Sequence, residues 1–206
     1  MYLIRKIWNW CKRYRHRCGY GVHSPSDFFL ITYVIYEKQA YYAYGELKKK
    51  FFDDSLPHYR TKVNRLLFRL VNYCRPQTLL EVGNGNGASI SYMKAARTSM
   101  VAKSLEGTQK ETMAQIDEVC KEWSTLDFVH IGPTPFYKET LQKVLPLANG
   151  RTCVVIGGIY DTPEKKAWWK EVIEDERVRI SYDLYDVGLL FFEKNRYKQH
   201  YIINFL

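Results

Sequence analysis

Glu81, the glycines Gly83, Gly85 and Gly87, and Glu106, 19 positions beyond the last glycine, are the residues whose types and spacing point most directly to chemistry. The first four lie in Leu79-Leu80-Glu81-Val82-Gly83-Asn84-Gly85-Asn86-Gly87-Ala88-Ser89, an apolar run that ends in an acid before glycines at alternate positions. That pattern predicts a buried strand feeding a tight turn into a helix, with no side chain to hold a ligand off the backbone. Glu106 closes a second apolar-rich run, Met100 to Leu105. An ionised carboxylate at a strand end accepts hydrogen bonds from both hydroxyls of a ribose. The spacing therefore predicts a nucleoside-binding crevice in a doubly wound α/β domain.

The charge of Glu81 bears on which nucleoside. A dinucleotide fold needs an unobstructed helix N-terminus for its pyrophosphate. A fixed negative charge two residues before the first glycine repels phosphates and attracts an ammonium group. Acid-x-Gly-x-Gly-x-Gly followed by a strand-end acid resembles the first two motifs of the class I S-adenosylmethionine (SAM) methyltransferases. The resemblance implies that Glu81, Gly83, Asn84, Gly85, Asn86 and Gly87 line the methionine side of the cofactor and that Glu106 takes its ribose. Beside it stands the plainer reading, a glycine-rich turn that binds nothing.

Size and composition set the frame. The 206 residues fit one domain with a decorated end. No run of about 18 apolar residues predicts a spanning helix. Arg5 and Lys6 interrupt any signal-peptide core, and five scattered cysteines without CxxC spacing argue against a disulfide framework or structural zinc. A reducing cytoplasm is the expected setting. Residues 1–75 hold 15 Lys and Arg against 5 Asp and Glu, a net of +10, whereas the remainder holds 16 against 17, a net of −1. The asymmetry divides the chain into a basic helical extension, residues 1–58, and the cofactor domain, residues 59–206.

The extension begins with an amphipathic pattern over residues 2–17. Leu3, Ile4, Ile7, Trp8, Cys11 and Tyr14 share one helical face, and Arg5, Lys6, Asn9, Lys12, Arg13 and His16 the other. Packing of that apolar face on the chain's own domain is one reading. An anionic partner, a membrane surface or a nucleic acid, is the other. Ser24-Pro25-Ser26-Asp27 then predicts a capped helix to about Tyr36. Gly21-Val22-His23-Ser24-Pro25 resembles an element found ahead of the methyltransferase domain in a little-characterised bacterial branch of the superfamily. There His23 would face the cleft as an acid/base or lid contact, or serve only as a hydrogen-bonded residue at the cap. A short helix and a surface loop are expected over residues 41–58.

From residue 60 onward helices alternate with short apolar runs. Val63, Leu66, Leu67, Leu70, Val71 and Cys74 mark an amphipathic helix stopped by Pro76. Strands are expected near residues 78–82, 100–105, 126–131 and 152–156, with helices between them. Asp161 is read as the cap of a helix carrying Pro163 and Glu164 in its first turn. Strand-like runs over residues 178–184, 188–192 and 200–205 end the chain. This order predicts a Rossmann-like, doubly wound, mostly parallel sheet with antiparallel C-terminal strands.

Two departures from the resemblance stand out. Only one helix fits between Glu106 and Leu126, so the sheet should lack its third, edge strand, and with it a wall of the adenine site. Metal-dependent relatives also carry acids after the fourth and fifth strands. Here those places read His130-Ile131-Gly132 and Gly157-Gly158, so no bound metal is expected. Methyl transfer needs chiefly in-line positioning, and His23, Tyr160 and Asp161 are the candidates to polarise an acceptor, each with a structural role as the alternative. The expected function is methyl transfer from SAM to an unidentified acceptor without a metal. The alternative is a catalytically degenerate fold kept as a binding or scaffold module.

Overall fold

The computed structural model describes residues 8–51, 61–83 and 87–205. Its strands are β1 (Thr78–Val82), β2 (Val101–Leu105), β3 (Phe128–Ile131), β4 (Cys153–Gly157), β5 (Ile180–Asp183), β6 (Val187–Phe191) and β7 (Gln199–Ile202). They form one sheet in the order β2-β1-β3-β4-β6-β5-β7. All neighbouring pairs are parallel except β6, which runs antiparallel to both β4 and β5. β2 is the outer strand beside β1, as the missing third strand requires. The winding reverses between β1 and β3, which opens a crevice beyond the ends of those two strands.

Helices cover both faces. On one lie α1 (Pro25–Phe29), which continues as a π-helix over Leu30–Ile35, then α2 (Ala43–Lys50), α3 (Thr61–Cys74) and α4 (Ala88–Ala96). On the other lie α5 (Gln109–Glu122), α6 (Tyr137–Val144) and α7 (Pro163–Glu174). Strand alternation sends Leu79 and Glu81 toward the first set, and Leu80 and Val82 toward the second. The periodicity of α3 turns Val63, Leu66, Leu67, Leu70 and Val71 into the core, each burial contributing about 2 kcal/mol. Thr108 and Glu111 close a reciprocal capping box on α5.

The N-terminal pattern is realised differently from its prediction. Leu3, Ile4, Ile7, Arg5 and Lys6 lie outside the described residues, as does the loop expected over residues 52–58. Among the described residues only 8–12 are helical, and turns follow. Trp8 and Tyr14, expected inward, are 61% and 57% exposed, while Arg13, expected outward, is buried. The reason is electrostatic: Arg13 Nη1 donates to Asp183 Oδ1 at 2.8 Å and to the Asp183 carbonyl at 3.1 Å. Its guanidinium also lies 5.3 Å from the Tyr160 and Tyr185 ring centres. A buried ion pair outweighs the hydrophobic pattern of a short segment. Among the described residues no helix is long and apolar enough to cross a membrane.

Ser24 caps α1 by accepting from the Asp27 amide, with Pro25 in the first turn, as the sequence predicts. The Asp27 carboxylate has a larger task. It is buried, and it accepts from Tyr182 Oη at 2.6 Å, Arg196 Nη2 at 2.6 Å and Tyr201 Oη at 2.9 Å. Burial pushes its pKa up, but the bonds from Arg196, Tyr182, Ser24 and Tyr201 win and hold it below the ordinary carboxylate value. The Tyr201 hydroxyl is pushed up to about 12, by burial first and then by Asp27. Replacing Asp27 by Asn should cost about 3 kcal/mol at neutral pH, a fall of roughly 6–12 °C in the melting temperature. A depressed carboxyl stabilises the fold above its unfolded value of about 4 and loses that contribution as pH falls through the lower folded value. The gap between wild type and Asp27→Asn should therefore close below about pH 4; a gap independent of pH would refute the assignment.

Candidate functional site

The crevice is built where β1 and β3 end. Gly83 leaves β1 with φ +81°, and a Cβ there would stand 2.6 Å from Thr134 Cβ, so only glycine fits beneath the loop after β3. The Gly83 amide donates to the Leu105 carbonyl at 3.1 Å, and the Gly132 amide to the Val82 carbonyl at 2.8 Å. Three strand ends are thereby tied together under the turn. Asn84, Gly85 and Asn86 lie outside the described residues. At Gly87 the chain is left-handed again, φ +63°, and a Cβ would meet nothing within 4 Å. α4 starts there without a side-chain cap.

Glu81 lies below this turn and is 0% exposed. The sheet register sets it directly between Ser104 on β2 and His130 on β3. Its carboxylate accepts from Ser104 Oγ at 3.0 Å and from Ser89 Oγ in the first turn of α4, and it stands 2.9 Å from His130 Nδ1. Ser104 itself is exposed, so its hydroxyl connects the buried carboxylate to the surface of the crevice. Ser89, Ser104 and His130 are partners that sequence reasoning missed. Only the strand register, which no local pattern reports, brings Ser104 and His130 beside Glu81.

Glu106 follows β2 and is exposed on the open side of the crevice. Tyr160 and Asp161 lie at the same edge of the sheet, past the end of β4. The Tyr160 hydroxyl donates to Asp183 Oδ2 at 2.7 Å, and its ring stacks on Tyr185 at 5.0 Å. Burial first, and the Asp183 charge next, push the phenol far above its ordinary value, so Tyr160 is a fixed hydrogen-bond donor and not a base. Asp161 is not the cap of α7; Thr162 is, accepting from the Lys165 amide at 3.1 Å. The Asp161 carboxylate folds back under Gly158, where a Cβ would meet Oδ2 at 1.9 Å. His23 is not brought to this group. It is exposed beside the Ser24 cap, and Ser24 accepts from Arg196 between β6 and β7, at the opposite edge of the sheet.

A further residue at the edge, Lys165, had no sequence signal. It is 4% exposed, its ammonium donates to the Gly157 carbonyl at 2.6 Å, and it lies 4.6 Å from the Tyr137 ring centre. Burial lowers its pKa, opposed by Asp161. A cation thus already occupies the end of β4, and among the described residues no group of three or more His, Cys, Asp or Glu could hold a metal ion.

No protein-family model matches the chain, and neither does any curated protein sequence. Solved structures do match. An O-methyltransferase from Bacillus cereus in complex with SAH is similar over 74% of this chain and 92% of its own, at 12% identity and a TM-score of 0.57. The SAH-bound methyltransferase PaMTH1 from Podospora anserina is similar over 84% and 97%, at 11% identity and a TM-score of 0.57. The O-methyltransferase TomG from Streptomyces achromogenes, in complex with SAM, gives 75% and 91%, at 13% identity and a TM-score of 0.53. The chain has the class I methyltransferase fold.

The Glu81 clasp makes a measurable demand on stability. Glu81→Ala removes one acceptor shared by two hydroxyls and a histidine, and should cost about 3 kcal/mol in urea unfolding. Glu81→Gln keeps the shape and one acceptor oxygen and should cost less than half as much. A Gln variant as unstable as the Ala variant would show that the ionised carboxylate alone, and not the shape or the remaining acceptor oxygen, carries the stability.

Proposed function

We propose that this protein binds SAM at the β1–β3 switch point and transfers its methyl group to a small acceptor without a metal. The observation that carries the reading is the pairing, past the ends of β1 and β2, of open space at Gly87 with an exposed carboxylate at Glu106. The residues fit the cofactor. Gly87, where a Cβ would meet nothing within 4 Å, leaves room for its amino-acid end, and Glu106 offers two acceptor oxygens to a ribose diol. The buried charge of Glu81 biases the turn toward a cationic guest over a diphosphate.

SAM supplies an activated methyl on a sulfonium, so the chain's residues need to position, exclude water and manage one proton. Tyr160 and Lys165 border the strand ends where an acceptor would lie. Tyr160 holds its proton on Asp183, and the Lys165 ammonium holds the Gly157 carbonyl. Neither exchanges a proton; they border and orient the acceptor while its lone pair attacks the methyl carbon and the methyl–sulfur bond breaks to leave the neutral thioether, and the proton the acceptor gives up passes to solvent water. The same ammonium disfavours a divalent cation at that end of β4, which supports metal-free transfer.

Titration calorimetry with SAM and its demethylated product should show binding at micromolar concentration. Glu106→Ala should weaken it about tenfold, the effect of losing a charge-assisted hydrogen-bond pair. Transfer of a radiolabelled methyl group should persist in the presence of EDTA. No binding at millimolar ligand would defeat the proposal, and binding without transfer across a broad acceptor panel would reduce it to a cofactor-holding scaffold.

A further inference from the structure

A second cavity, about 430 Å³, opens between the end of the π-helix, the first turns of α3 and Phe205. Its position follows from connectivity. Three residues join α3 to β1, so α3 begins at the edge where the parallel strands end. Phe205 follows β7 and lies at that edge too. The cavity therefore shares an edge with the glycine turn but has its own walls, which include Lys38, Lys62, Arg65 and Arg69. Glu37 is the one acidic residue among them, and its Oε1 accepts from the Gln39 amide at 3.0 Å.

One of these cations, Arg69, is buried to a degree its partners do not explain. Arg69 is 7% exposed; its Nε donates to the Val34 carbonyl at 2.6 Å and its Nη2 to the Ile35 carbonyl at 3.0 Å. No carboxylate among the described residues forms an ion pair with it. Carbonyls at a helix end return only about half a charge, and a buried cation left short of counter-charge is costly. Arg65 stands one turn earlier on α3, its guanidinium 5.0 Å from the Tyr44 ring centre. Its Nε is buried and has no hydrogen-bond partner among the described residues. Tyr44 is 4% exposed and packs against Tyr41 and Phe68, so Tyr36, half-buried, is the aromatic wall with surface to spare.

We propose that this cavity is a binding site for a phosphate monoester, its dianion held by Arg65, Arg69 and Lys38 and its organic part laid against the Tyr36 ring. Two guanidiniums present planar, paired donors suited to phosphate oxygens. A dianion would supply the counter-charge that the helix-end carbonyls do not. The site is separate from the proposed cofactor crevice and does not depend on it.

The test is calorimetry on the full chain with phenyl phosphate, with inorganic phosphate, and with phenol as the neutral control. Phenyl phosphate should bind at least about tenfold more tightly than phenol, the effect of one charge-assisted contact. Lys38 is exposed, so Lys38→Glu should leave the melting temperature unchanged while weakening phenyl phosphate at least about tenfold. Arg65→Gln should weaken it further. Inorganic phosphate binding as tightly as the ester would assign the site to the free ion, and tighter binding of the ester would assign it to a phosphorylated small molecule; both support a phosphate site. Absence of binding by either at 10 mM, on the order of the weakest useful affinity, would overturn the proposal, as would binding that both substitutions leave untouched.

Discussion

A buried carboxylate at the end of a central strand is an expensive object, and Glu81 holds the crevice together because its position permits no relaxed alternative. Removed from water, it must be met by donors on every side. Register supplies two of them, Ser104 and His130 on the flanking strands, and the first turn of α4 supplies the third, Ser89. Each donor comes from a different element. One side chain therefore fixes the spacing of β2, β1 and β3 and, at the same time, where α4 leaves the glycine turn. The strained conformations at Gly83 and Gly87 persist because the elements on both sides of them are pinned.

The same logic, with the charge reversed, accounts for much of the basic N-terminal third. Arg13 closes on Asp183 at one end of β5, while Asp27 gathers Tyr182, Tyr201 and Arg196 along the same strand and its neighbours. The N-terminal segments are thus fastened to the last strands of the chain by two polar clusters more than 150 residues apart in sequence. Part of the net charge of +10 is structural: Arg13 and Arg69 are interior residues.

Much of the fold was legible because it rests on periodicity. The apolar stripe of α3, the Thr108–Glu111 box and the Ser24-Pro25 start report local physics, and the structure follows them. The missing edge strand was legible by counting residues between Glu106 and Leu126. The site was less so. That Glu81 would be charged and near the turn followed from the motif, but which way its carboxylate turns depends on Ser104 and His130, 23 and 49 positions away. Asp161 read as a cap because an acid before Pro163 usually is one; Thr162 took that role and left the carboxylate to fold under Gly158. Lys165 carried no signal, since a lysine in an amphipathic helix ordinarily faces water. Trp8 and Tyr14 misled because a short helix obeys its tertiary contacts before its own pattern.

Losing the outer strand has a consequence for the crevice as well as for the sheet. β2 becomes an edge, with Val101 56% exposed, and the chain protects it with charge: Lys103 pairs with Glu122 and lies over the Trp123 ring. Glu106, at the end of that edge, has no further strand beside it to bury or crowd it. A carboxylate so placed stays solvated, and each hydrogen bond it makes to a ligand competes with water at modest gain. Glu81 is the opposite case: sealed from solvent, its bonds to Ser89, Ser104 and His130 meet no competition from water, and they hold β1, β2, β3 and the start of α4 in one arrangement.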